Sequence, residues 1–414
     1  MKEYFSELKE FDEEKTSFSF KDCISVKGMN TSASSKILEG YKPLYDSTVS
    51  KKVKEKGYQI VGKTIQDEFG FGSFCTNTGK GIKPPKNPVD KERVTGGSSG
   101  GAAGAAKSIK NHIAIAESTG GSIANPAAFC EVVGLTPTYG LVGRHGLIDY
   151  ANSLDKIGVI ANSVRETAFG LKTIAGYDGN DSTSVKVNIP DYEKPEKPVK
   201  VTLGVVKEYL EACNDSVKEA FQNKLKEIKE QGIEVKEVSL SLNKEYSVST
   251  YYIIAMSEAS TNLARYTGLR YGYSEELKGN YKEYTSKVRS NAFGDEAKRR
   301  IILGTYARMA GYRDQYYDKA LRVRTKLLEE YKEKLKGIDG LIHPTMPIHP
   351  PIFKEIEKLS LIETYNMDLL TTGANLAGLP HISIPIKSEL PVGLMITMNH
   401  FEEEKLISIG GMLE

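Results

Sequence analysis

Two serines in this chain each follow a Gly-Gly pair: Ser98 in TGGSSGGAAGAAK, Thr95 to Lys107, and Ser122 in ESTGGSIANP, Glu117 to Pro126. A serine hydroxyl is a weak nucleophile at neutral pH, so acyl chemistry at serine needs a neighbouring base and N–H donors for the developing oxyanion. Glycines let the backbone fold tightly enough for successive N–H groups to converge on one point, and Ser122, at the end of such a turn, is the candidate nucleophile. The residues around Ser122 do not form the G-x-S-x-G elbow of α/β-hydrolases, and no evident His/Asp set accompanies them, so the base must be another group. Lysine is the natural choice, because burial disfavours its charged form and a second hydroxyl can relay the proton.

Two blander readings compete. A Gly/Ser run is often a flexible linker, but a linker does not continue into an Ala-rich run and then the apolar HIAIA. Gly101 to Ser108, GAAGAAKS, fits a phosphate loop except that Ala106 stands where the second glycine belongs, and the preceding NPVDKERVT is too polar for the buried strand such a loop follows.

The elements that must position these residues can be read coarsely. SFSFKDCISVKG alternates like a half-buried strand, in which a lysine such as Lys21 ordinarily points to solvent. QIVGKTI, HIAIA, Val132 to Leu135, VKVTLGVV, GLIHP and ISIPI add short apolar strands. Val217, Phe221, Leu225 and Ile228 follow helical spacing before Gly232, and GYRDQYYDKALRVRTKLLEEYKEKL reads as a long amphipathic helix. Strands interspersed with helices predict an α/β chain whose sheet is covered on both faces. Residues 1–16 read as an N-terminal arm and 177–200, rich in Pro, Lys, Asp and Ser, as a surface linker; strand material on both sides of it favours one domain over 1–414.

Composition narrows the function classes. The 414 residues are 39% hydrophobic and 27% charged with a net charge of +2, so no nucleic-acid footprint is written into the balance. Cys23, Cys75, Cys130 and Cys213 are scattered without metal-site spacing, which points to a reducing compartment and no metal. The charged N-terminus lacks a signal-type apolar core, and no run of about 18 apolar residues occurs, so a cytoplasmic protein with no membrane role is expected.

The segments FKDCISVKGMNTSASSKIL, DEFGFGS, NPVDKERVTGGSSGGAAGAA, ESTGGSIANPAAFC and VGLTPTYGLVGRHG resemble, in order and spacing, the amidase signature family, and the likeness spans nearly the whole chain. The resemblance implies the family's α/β fold, one large mixed β-sheet covered by helices on both faces. It implies Lys21 as base, Ser98 as the serine behind a cis peptide bond and Ser122, 24 residues on, as nucleophile. It also implies that the N–H groups of Thr119, Gly120, Gly121 and Ser122 line the oxyanion hole, with Ser99 supporting them. Taken singly, Lys21 would read as a solvated strand lysine and the serines as turn residues.

Within that family, YYIIAMSEASTNLARYTGLRYGY, FGDEAKRRIILGTYARMAGYRDQYY and YNMDLLTTGANLAGLPHISIPI are similar to the glutamine-hydrolysing A subunits of tRNA-dependent amidotransferases. This likeness implies that Tyr251, Arg300 and Asp368 hold glutamine: a guanidinium fork for the α-carboxylate, a carboxylate for the α-ammonium and a phenol for direction. Alone, Arg300 would read as a solvated helix face, Asp368 as a cap and Tyr251 as core. The implied partners are a B subunit that carries the charged tRNA with ATP and magnesium, and possibly a C subunit, which commonly packs on a longer helical N-terminal region than this chain has before Lys21. No cofactor is implied in this chain. It departs from the family at Ser118, usually Asp, at Ala124, usually Arg, and at Cys23, usually Asn. Two other functions stay open: a stand-alone amidase for another carboxamide, against which Arg300 and Asp368 argue, and an inactive scaffold, against which the intact triad argues.

Overall fold

The computed structural model describes residues 1–79 and 81–414. Eleven strands form one sheet: β1 Phe5–Leu8, β2 Ser17–Lys21, β3 Gln59–Thr64, β4 His112–Ser118, β5 Val133–Thr136, β6 Lys156–Ala161, β7 Thr202–Val206, β8 Glu234–Val238, β9 Gly340–Pro344, β10 His381–Ile386 and β11 Val392–Thr397. Their order is β1-β3-β2-β4-β6-β5-β10-β11-β9-β7-β8. The sheet is mixed: β2 runs parallel to β3 and β4, and β7 to β8 and β9, while the remaining pairs are antiparallel. It continues without a break across 177–200, a segment without helix or strand that nevertheless buries Asp178 and Tyr192.

Every residue of β2 and β4 is buried, so both faces of the sheet are covered there and side-chain polarity no longer tracks solvent. This corrects the half-buried reading of SFSFK. Its serines are satisfied internally, Ser17 and Ser19 each lying 2.8 Å from a ring nitrogen of His112 on β4. Parallel pairing in the register Phe20↔Ile115 brings the ends of β2 and β4 to the same edge, so Lys21 arrives beside Glu117 instead of facing water.

The arm differs from its expectation as well. After a short 3-10 turn at Lys2–Tyr4 it becomes the edge strand β1, antiparallel to β3, with Tyr4 and Phe5 buried. The Ala/Gly run is a helix, Gly100–Ser108, buried from Gly100 to Ala106. A Cβ at Gly104 would lie 2.3 Å from the Tyr4 ring, so its glycine serves close packing, neither linker flexibility nor phosphate binding.

Two helices build the far wall of the site, Ser241–Asn262 and Asp295–Arg308. They pack closely at Gly304, where a Cβ would lie 1.8 Å from Met256 O. Gly→Ala in a helix ordinarily gains up to about 1 kcal/mol in propensity. Here a backbone clash opposes that gain, and Gly304→Ala is expected to lose roughly 1–3 kcal/mol. A urea melt reads this directly; an unchanged or higher midpoint would show that the helices separate freely.

Candidate active site

β2 delivers Lys21, the loop before the Gly100–Ser108 helix delivers Ser98, and the turn after β4 delivers Ser122. Lys21 Nζ donates to Ser98 Oγ at 2.7 Å and to Glu117 O at 2.9 Å, and both Lys21 and Ser98 are fully buried. The Gly97–Ser98 peptide bond is cis. Ser122 is 6% exposed, which leaves its hydroxyl at the rim of the buried cluster. The Ser99 N–H donates to Ser122 O at 3.2 Å, tying the two serine loops together through the backbone. Among the described residues no hydrogen bond joins the Ser98 and Ser122 hydroxyls. Catalytic hydrogen bonds often form only once substrate is bound.

The turn itself is shaped by contacts that only glycine permits. A Cβ at Gly121 would lie 2.3 Å from Thr371 Oγ1 and one at Gly120 2.8 Å from Tyr251 Cζ. Asn375 Nδ2 donates to Gly120 O, and Asn125 N donates to Gly121 O at 2.8 Å where the Ala124–Phe129 helix begins. Among the described residues the N–H groups of Thr119, Gly120, Gly121 and Ser122 donate to no protein acceptor, so four donors in sequence are free.

The charge state of Lys21 differs from the sequence expectation. Burial alone pushes its pKa down, but the Glu117 carboxylate at 2.8 Å pushes it up and prevails, leaving Lys21 above the ordinary lysine value. At rest Lys21 is an ammonium in a buried ion pair. Glu117 was not singled out from sequence, because a glutamate in a strand ordinarily reads as solvent-facing. Its other oxygen accepts from Thr119 Oγ1 at 2.7 Å.

A second cluster holds the other three residues. Arg300, buried on the Asp295–Arg308 helix, donates through Nε to Glu296 Oε1 at 2.8 Å and through Nη1 to the Tyr150 hydroxyl. The rings of Phe71, Tyr252, Tyr150 and Tyr365 surround its guanidinium at 4.8 to 5.8 Å. Asp368 accepts from Tyr252 OH at 2.8 Å and from Asn125 Nδ2 at 3.0 Å. Burial pushes the Asp368 carboxyl up, against these bonds, which favour its charged form. Tyr251 packs its ring on Gly120 and against Tyr252, with centroids 4.9 Å apart. Sequence reasoning missed Tyr252, Glu296 and Asn125. The i, i+4 spacing of Glu296 and Arg300 was a readable signal, whereas nothing in YY distinguishes the ring that reaches Asp368. Asn125 joins the two clusters: three residues after Ser122, it holds Asp368.

A protein-family model described as Amidase matches residues 17–407. The chain belongs to the amidase family. It is 45% identical over 395 residues, 94% of this chain and 80% of the relative, to the A subunit of glutamyl-tRNA(Gln) amidotransferase from Sulfurihydrogenibium sp.. Among solved structures it is similar to the A subunit of glutamyl-tRNA(Gln) amidotransferase from Thermotoga maritima, with a TM-score of 0.80 and 36% identity over 98% of this chain and 85% of that one. It is also similar to the native peptide amidase of Stenotrophomonas maltophilia, with a TM-score of 0.76 and 25% identity over 96% and 82% of the two chains.

The positions where this amidase departs from the family motif are all buried. Ser118 is fully enclosed with no partner for its hydroxyl among the described residues, and Ala124 is fully enclosed at the start of the Ala124–Phe129 helix. A charge at either site would need a buried counter-charge; serine and alanine together leave none to satisfy. Burial pushes the Cys23 thiol up, so it stays protonated, and its N–H donates to Gln66 Oε1 at 3.0 Å. None of the described residues lies in a helix long and apolar enough to cross a membrane.

Proposed function

We propose that this amidase is the glutamine-hydrolysing component of a tRNA-dependent amidotransferase, with residues 1–414 acting as one catalytic domain in the cytoplasm. Arg300 takes the α-carboxylate of glutamine through its remaining N–H groups, Asp368 the α-ammonium, and Tyr251 borders the side chain where it passes Gly120. Ser122 Oγ attacks the side-chain amide carbon, Ser98 carries its proton to Lys21 once the Lys21 ammonium has given up a proton, and the free N–H groups of Thr119, Gly120, Gly121 and Ser122 receive the oxyanion. The carbon–nitrogen bond breaks, ammonia leaves with a proton returned along the same path, and water hydrolyses the γ-glutamyl ester. Ammonia is consumed on a B subunit that holds Glu-tRNA(Gln) or Asp-tRNA(Asn) with ATP and magnesium, and a C subunit is a further possible partner. A net charge of +2 agrees with tRNA contact being made mainly by the B subunit.

The single observation that carries this reading is the bond from Asn125, in the turn of Ser122, to Asp368, which supports reading Asp368 as part of an amino-acid clamp beside the acyl site. The names of the relatives point the same way. The test is Arg300→Lys in the complex assembled with the B subunit. Lysine keeps the charge but loses the planar fork; losing one charge-assisted bond is expected to raise KM for glutamine roughly tenfold or more. Amidation supported by free ammonia is expected to be unchanged. Equal impairment with both nitrogen sources, or unchanged use of glutamine, would favour a stand-alone amidase for another carboxamide.

A further inference from the structure

Thr119 Oγ1 lies 2.7 Å from Glu117 Oε1 and 3.0 Å from Asp155 Oδ1. A hydroxyl has one proton to give. One carboxyl oxygen accepts that proton, and the other must carry a proton of its own and donate to Thr119. Glu117 pairs through Oε2 with the Lys21 ammonium at 2.8 Å. Asp155 is fully buried and makes no ion pair among the described residues; its Oδ2 accepts the Tyr150 N–H at 2.9 Å, and the Ala151 N–H is shared between Oδ2 and Oδ1 at 3.0 Å each. Burial and the Glu117 charge push its carboxyl well above the usual range, so Asp155 holds the proton. The result is a directed chain: Asp155 to Thr119, Thr119 to Glu117, Lys21 to Glu117 and Lys21 to Ser98.

We propose that Glu117 is a positioning residue that stores Lys21 as an ammonium at rest and takes that proton as the acyl step begins, with neutral Asp155 fixing its orientation through Thr119. The inference rests on the reading of Lys21, Ser98 and Ser122 as the acyl-transfer set. Lys21 Nζ passes one proton to Glu117 Oε2. The freed lone pair on Nζ accepts the Ser98 proton as Ser98 takes that of Ser122, whose oxygen bonds to the amide carbon. Lys21 is then an ammonium again and Glu117 a neutral acid. As ammonia leaves, Ser98 supplies its proton, Lys21 replenishes Ser98, and Glu117 returns the stored proton to Lys21, so Ser98, Lys21 and Glu117 end as they began and Ser122 holds the acyl group. The other ionisable groups facing this chain are Cys23 and Asp67 beside Lys21 and Asp149 and Arg144 beside Asp155; burial pushes Asp67 up to about 6.

The pH profile of kcat/KM for glutamine, measured on the full chain in its complex, tests this by direction. With Glu117 present, Lys21 has a neighbour that takes its proton at the acyl step. In Glu117→Gln no carboxylate takes that proton and the reaction must await titration of Lys21 itself, so the acid limb is expected to move to higher pH, whereas loss of the opposite charge acting alone would lower the Lys21 pKa and move the limb the other way. KM at the high-pH plateau is expected to be unchanged. Thr119→Val keeps the backbone N–H, removes the bond that orients Glu117 towards Lys21, and is expected to move the limb the same way by less; it decides the matter should the glutamine variant not fold. A limb that moves to lower pH would show that Glu117 only raises the pKa of Lys21, and a uniform loss with an unmoved limb would show a structural role; either overturns the proposal. Lys21→Ala separates the two levels: retained activity there sinks the acyl-transfer reading itself, whereas an inactive Lys21→Ala with an unmoved Glu117→Gln limb sinks only the role of Glu117.

Discussion

Ser122→Ala is expected to reduce ammonia release from glutamine by roughly 10⁴-fold or more, the scale on which loss of a serine nucleophile acts. The free N–H groups of Thr119, Gly120 and Gly121 would still polarise a bound amide, so the residual rate stays above that in water. Stability is expected to change little. Ser122 is 6% exposed and its hydroxyl makes no hydrogen bond among the described residues, so its removal leaves no buried group unpaired. A steady-state ammonia assay paired with a thermal melt reads both effects. Activity within a few-fold of wild type would remove Ser122 from the nucleophile role.

Lys21→Ala is expected to be as damaging to rate, and unlike Ser122→Ala it is expected to destabilise the fold. Its removal strands the Glu117 carboxylate in a fully covered part of the sheet, where breaking a buried ion pair costs about 3–5 kcal/mol. Adding Glu117→Gln to Lys21→Ala removes the orphaned charge, so the double variant is expected to recover much of that stability and none of the activity. Chemistry and folding are thereby separated at one site. Residues that act as a unit lose little more together than singly. A Ser122→Ala/Lys21→Ala chain is therefore expected to match the weaker single variant, and a product of the two losses would show that the residues act independently.

What could be read from the sequence divides along physical lines. The serine turns were legible because their glycines are demanded by close packing: Gly120 and Gly121 admit no Cβ against the side chains of Tyr251 and Thr371. Arg300 and Asp368 were legible only through likeness to relatives, since alone each resembled an ordinary surface residue. The setting of Lys21 was not legible. Alternation marks a strand with one wet face, whereas β2 lies between β3 and β4 with both faces covered, so a lysine and a glutamate were hidden in what looked like surface pattern. The edge strand β1 escaped for the opposite reason: its four residues are too few to show a period, and its place is set by pairing with β3 and by Tyr4 against Gly104. Tyr252, Glu296 and Asn125 acquire their roles from partners 116, 4 and 243 positions away.

The central claim is that Ser122 becomes acylated by glutamine, and the covalent intermediate can be observed directly. The purified complex is mixed with glutamine, quenched in acid within the first turnovers, digested and analysed by mass spectrometry. A γ-glutamyl ester on the peptide that contains Ser122, absent from Ser122→Ala and depleted in Arg300→Lys at low glutamine, is the predicted result. Ammonia release with the adduct on any other residue, or with no adduct under conditions that trap esters, would contradict it.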